Sequence, residues 1–176
     1  MSHIIFLHGA SSSGKTSIAI QLQARVGITF WHISIDHLRD SGVLPTERFR
    51  NGDFDWANER DKFFAGFHAS LKAYADAGNN LIIEHILDKD EWLQHLKEIL
   101  RGHNVLFIGI HCHPDILKER EIARGDRPLG SALKDFHHIH LDKIYDLELD
   151  STDDIERNVE SIISAWKDEH RKSSFA

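Results

Sequence analysis

The stretch Gly9-Ala-Ser-Ser-Ser-Gly14-Lys15-Thr16 constrains this chain more than any other, because it satisfies G-x-x-x-x-G-K-[ST] in full. It follows the apolar run Ile4–Leu7 and precedes Ile18, Leu22 and Val26, spaced as one face of a helix. A strand, a tight turn and a helix are therefore expected, and in that context the motif is a phosphate cradle. Gly9 and Gly14 let the backbone wrap closely, so that amide hydrogens converge on an anion. The helix beginning near Lys15 adds the positive end of its dipole. The expected ligand is ATP with Mg²⁺, held by Gly9, Ala10, Ser11, Ser12, Ser13, Gly14, Lys15, Thr16 and Ser17. In this arrangement the Lys15 ammonium reaches the β- and γ-phosphates and the Thr16 hydroxyl ligates the cation.

The remainder alternates short β-like runs with longer helical ones, the pattern of an α/β fold with a five-stranded parallel sheet flanked by helices in three layers. Strands are expected at His3–His8, Trp31–Asp36, Asn80–His85, Val105–His111 and Tyr145–Leu149. Helical stripes comprise Phe63, Phe67, Leu71 and Tyr74; Trp92, Leu96 and Ile99; and Ile155, Val159, Ile162 and Trp166. Asp88 and Glu91 are spaced as a capping box for the second of these. Residues 1–176 are expected to form one domain, with no repeat or linker. Two segments break the pattern: Ser41–Trp56, a loop or short-helix excursion after the second strand, and the arginine-rich Arg120–Lys134. Both lie toward the carboxyl ends of the strands, where open parallel sheets bind ligands.

The net charge of −7 and the dispersed basic residues weigh against a nucleic-acid partner, which needs a basic stripe to neutralise phosphates. A lone cysteine, Cys112, offers no internal disulfide. No run is long enough for a signal-peptide core or a membrane span, so a cytoplasmic location is expected. Oligomeric state is not legible.

Three features favour phosphoryl transfer over other uses of such a loop. Asp36, expected at the end of the second strand, would hold an acceptor hydroxyl and take its proton late, since its ordinary pKa of about 3.9 lies far below that of an alcohol. Glu84 ends the apolar Leu81-Ile-Ile-Glu84 and is a second candidate Mg²⁺ ligand beside Thr16. Arg120, Arg124 and Arg127, on a segment expected to move, would close over the transferring phosphoryl group. No guanine-reading Asn-Lys-x-Asp follows the fourth strand, where His111-Cys-His-Pro stands instead.

These elements occur in a familiar order. Gly9–Thr16, Ser34-Ile-Asp36-His-Leu38 before Pro45, Arg120-Glu-x-Ala-Arg124-Gly-Asp-Arg127 and Tyr145-Asp-x-Glu-x-Asp150 together resemble the chloramphenicol phosphotransferase family over nearly the whole chain. The resemblance implies an adenylate-kinase-like fold with an arginine-rich lid at about 120–134 and transfer of the ATP γ-phosphate to a hydroxyl of a small acceptor. It aligns Asp36 with the family's catalytic aspartate, Arg120, Arg124 and Arg127 with its lid arginines, and Asp150–Thr152 with the surroundings of the adenine. Glu84-His85 departs from the family's consecutive aspartates. The acceptor region, about 39–67, departs most, with Arg48, Arg50, Asp53, Asp55 and Arg60 beside Phe49, Phe54, Trp56 and Phe63.

Two other readings stand beside the small-molecule kinase: a kinase of a nucleotide, RNA end or sugar-nucleotide, and a nucleotide-gated interaction module without catalysis. Zinc at His111 and His113 lacks further ligands at a convincing spacing. The His137–His140 cluster reads as helix surface or lid contact, and Cys112 as a small buried side chain.

Overall fold

In the computed structural model the described residues are 1–124, 130, 133, 136, 138–168 and 170–176. Five strands, β1 (His3–Gly9), β2 (Phe30–Ser34), β3 (Asn80–His85), β4 (Asn104–His111) and β5 (Leu147–Asp150), form one sheet in the order β2-β3-β1-β4-β5, and all pairings are parallel. Helices α1 (Lys15–Arg25) and α7 (Ile155–Asp168) share contacts on one face; α4 (Trp56–Asp76) and α5 (Asp90–Ile99) pack together on the other. Shorter α2 (Ile35–Asp40) and α3 (Thr46–Arg50) follow β2, and α6 (Pro114–Arg124) follows β4. No helix among the described residues is long and apolar enough to cross a membrane.

Strand alternation divides the core. Ile5, Leu7, Ile82, Leu106 and Ile108 pack under Ile18 and Leu22 of α1 and Val159 and Ile162 of α7. Ile4, Phe6, Leu81, Ile83 and Phe107 pack under Phe67 and Leu71 of α4 and Trp92 and Leu96 of α5. The central strands are therefore apolar on both faces, as parallel strands covered by helices must be. Gly109 admits the Tyr145 ring over the sheet; a Cβ there would lie 2.9 Å from two of its ring carbons.

The structure departs from the sequence expectations in four places, each with a local cause. β2 stops at Ser34, because the Ser34 hydroxyl accepts the His37 N–H at 3.2 Å and caps α2. Asp36 consequently sits in the first turn of a helix, not at a strand end. β5 begins at Leu147, and Tyr145 serves as a packed ring before it. The Asp88–Glu91 capping box is absent: Lys89 occupies the cap of α5 without a side-chain bond, and Asp88 pairs with Arg60 at 2.7 Å. In α4 the ends of the expected stripe, Phe63 and Tyr74, remain partly open on a groove beside β2, while His68 takes a buried place.

Histidines do much of the core's polar work. His8 accepts the Leu87 N–H at Nδ1 (3.3 Å), so its Nε2 carries the proton and donates to the Ile139 carbonyl at 2.8 Å. His68 and His85 meet at 2.8 Å between their Nε2 atoms, one donating and one accepting. Burial holds His85 down to about 3, with the neighbouring His68 adding to the effect. Burial, and then His95, hold His68 at about 4.

These neutral imidazoles set an acid limit. The unfolded chain takes up protons at these sites near 6.5, and the folded chain resists them until pH 3–4. Stability is therefore expected to be independent of these groups above pH 7. It should fall as pH drops from 6.5 toward 4, approaching ~1.4 kcal/mol per pH unit for each such histidine. Urea unfolding across that range measures it; a His68→Leu, His85→Phe double variant should show a shallower slope.

Candidate active site

The turn joining β1 to α1 is built around a contact that only glycine permits. A Cβ on Gly9 would lie 2.6 Å from the Ile110 carbonyl oxygen and 2.8 Å from Ser13 Oγ. Gly14 at φ 95° precedes the helix, and Ser12 adopts φ 62°, a left-handed conformation uncommon for a residue with a side chain. The tight wrap leaves the Ser12 and Ser13 hydroxyls buried with no hydrogen-bond partner among the described residues. Such an orphan costs ~1–3 kcal/mol unless something else occupies the loop. Lys15, 8% exposed, turns its ammonium back onto the Gly9 and Ala10 carbonyls at 2.8 and 2.7 Å. Gly9 and Ala10 thus underlie the loop, while Ser11 through Ser17 line a cleft of about 450 Å³.

Across that cleft lie the acids. Leu7 and Glu84 are in register, as are Ser34 and Glu84, so Glu84 points to the α1 face of the sheet. There its Oε2 accepts the Thr16 hydroxyl at 2.8 Å and its Oε1 meets His32 Nε2 at 2.5 Å. Burial alone would raise the Glu84 carboxyl. The His32 hydrogen bond, the Lys15 charge and the Thr16 hydroxyl outweigh it and hold the group below its ordinary value. Asp36 lines the same cleft from α2, with Arg39 Nη1 3.3 Å from its Oδ1.

Arg120 lies on α6 with its guanidinium docked against Ser151. Its Nη1 donates to Ser151 Oγ at 3.1 Å and its Nη2 to the Ser151 carbonyl at 3.3 Å, beside Gly14. The Arg124 side chain, Arg127 and most of the expected lid lie outside the described residues. Ser151 borders the cleft; the Asp150 carboxylate instead closes its own turn on Thr152. Away from the cleft, His111 pairs with Glu148 at 2.8 Å, His140 bonds the Tyr145 hydroxyl at 2.7 Å, and Cys112 is buried. Sequence reasoning passed over His32. The signal was strand alternation, since His32 shares its face of the sheet with Ser34, the register partner of Glu84.

Comparison with known proteins identifies the family. The family described as chloramphenicol phosphotransferase-like protein matches residues 2–167. The chain belongs to that family. Two curated Mycobacterium tuberculosis relatives, from two strains and both named "Putative O-phosphotransferase", are 32% identical to it over 170 residues, covering 85% of this chain and 75% of theirs. Among solved structures, a gluconokinase from Sinorhizobium meliloti superposes with a TM-score of 0.64 at 17% identity, covering 95% of this chain and 92% of that one. Shikimate kinase from Aquifex aeolicus does so with 0.62 at 18%, covering 94% and 96%. These likenesses establish the fold as that of P-loop kinases, and with the family they mark the chain as a phosphotransferase.

The Gly9 contact yields a direct expectation. Gly9→Ala should lower stability by ~1–3 kcal/mol, the usual range for forcing an extra methyl into a packed site. Chemical denaturation compares it with the parent, and an equal midpoint would show that the loop yields freely.

Proposed function

We propose that the chain transfers the γ-phosphate of ATP to a hydroxyl of a small, uncharged molecule. The observation that carries this reading is the convergence on one cleft of two orphaned loop hydroxyls, a buried lysine, the Thr16–Glu84 pair and Asp36. Triphosphate oxygens suit the Ser12–Thr16 loop, where amide hydrogens, the Lys15 ammonium and the helix dipole favour an anion. Lys15 would exchange the Gly9 and Ala10 carbonyls for phosphate oxygens. Arg120, fixed beside Gly14, would add positive charge where negative charge develops.

Thr16 and Glu84 fit Mg²⁺, a hard cation that takes oxygen ligands, often one or two carboxylates completed by water and phosphate. The cation supplies neutralisation of phosphate charge when bound. Asp36 would orient the acceptor hydroxyl. The acceptor oxygen forms its bond to the γ-phosphorus as the bond to the β,γ-bridging oxygen breaks. ADP leaves with that electron pair, and the hydroxyl proton passes to the Asp36 carboxylate.

The charges in the 39–67 region favour an uncharged acceptor. Arg48 pairs with Asp53 at 3.1 Å and lies over the Phe54 ring, and Arg60 pairs with Asp88 and faces Phe64 and Trp92. Asp55 caps α4 through the Ala57 N–H. Guanidinium groups already met by the Asp53 and Asp88 carboxylates have less to offer a phosphate-bearing acceptor, which weakens the reading of a nucleotide or RNA-end acceptor.

The test is ADP release from Mg·ATP across a panel of neutral and anionic hydroxyl compounds. Acceptor-dependent release is expected from a neutral member. Asp36→Asn should cut it about 10²–10⁴-fold with nucleotide affinity nearly unchanged. Full turnover in that variant would remove Asp36 from the chemistry.

A further inference from the structure

The geometry points to His32 as a positioning residue that holds Glu84 in the orientation required for the cation beside Thr16. The inference rests on the phosphotransferase reading of the cleft and concerns one interaction within it. Thr16 Oγ1 reaches one oxygen of Glu84 and His32 Nε2 reaches the other. An ionised carboxylate only accepts, so the proton in the second bond belongs to His32. With Oε1 so engaged, rotation of the carboxyl about its last bond would break two hydrogen bonds at once. Oε2 is left facing Thr16.

His32 is itself held in place. It lies on edge strand β2, two residues before Ser34 and on the same face, with its side chain only 7% exposed. The His37 ring packs on it edge to face, 4.6 Å between centroids. His37 follows Asp36 directly, and its N–H is fixed by the Ser34 hydroxyl. The same imidazole therefore touches the acid on the nucleotide side of the cleft and the helix turn that presents Asp36 on the acceptor side. Partners that orient a metal-ligating carboxylate are worth 10–100-fold in metal affinity or activity when removed. His32 occupies that place here.

The test separates donor from ring. His32→Phe keeps a ring against His37 but offers Glu84 no proton; His32→Gln keeps an amide donor at similar reach. Each is compared with the parent by calorimetric titration with the non-hydrolysable analogue AMP-PNP, in excess MgCl₂ and in EDTA, with thermal unfolding as a control on folding. The expected result is that His32→Phe loses about 10–100-fold of the affinity gained from Mg²⁺. Its affinity in EDTA stays at the parent level, and His32→Gln retains most of the gain. An undiminished Mg²⁺ gain in His32→Phe overturns the proposal, as does a loss in His32→Gln as large as that in His32→Phe. A parent that binds no AMP-PNP overturns the reading of the cleft itself, which distinguishes that failure from failure of the His32 assignment alone.

Discussion

The approach of Gly9 to the Ile110 carbonyl is the contact on which the site depends. Because no Cβ intervenes, the end of β1 lies close against β4, and the chain turns into α1 within five residues. That turn buries two serine hydroxyls without partners among the described residues and brings the Lys15 ammonium onto the carbonyls of Gly9 and Ala10. The loop thus carries an unsatisfied polar surface and a buried cation, both of which a bound anion would relieve. The surrounding sheet sustains that local cost.

Strand alternation then assigns the chemistry to its layers. Consecutive residues of β3 point to opposite faces: Glu84 toward α1 and the loop, His85 into the core beneath α4 and α5, where it stacks on Phe6 and meets His68. On one side burial is opposed by three favourable partners, and the carboxyl stays charged. On the other side burial wins, and the imidazole stays neutral. Two adjacent polar residues in the interior take opposite charge states because their partners differ.

The turn and the sheet were legible because their signals are local. Gly9–Thr16 between an apolar run and a helical stripe specifies strand, loop and helix, and the buried strands read as continuous apolar runs. The end of β2 was not legible to the residue, since either Ser34 or Asp36 could have capped the helix that follows, and only the His37 N–H decides it. The pairing of Asp88 with Arg60 across 28 residues, which displaces the expected capping box, has no short-range signature. His32 was missed for a related reason: its partner lies on another strand, and strand register is set by tertiary packing.

The most direct test of the account is a crystal structure of the chain with AMP-PNP and Mg²⁺. The account predicts a β- or γ-phosphate oxygen within hydrogen-bond distance of the Ser12–Lys15 amides, with the Lys15 ammonium moved off the Gly9 and Ala10 carbonyls onto the phosphate. It also predicts the cation beside Thr16. A nucleotide bound elsewhere, with Lys15 still held by those two carbonyls, would contradict it.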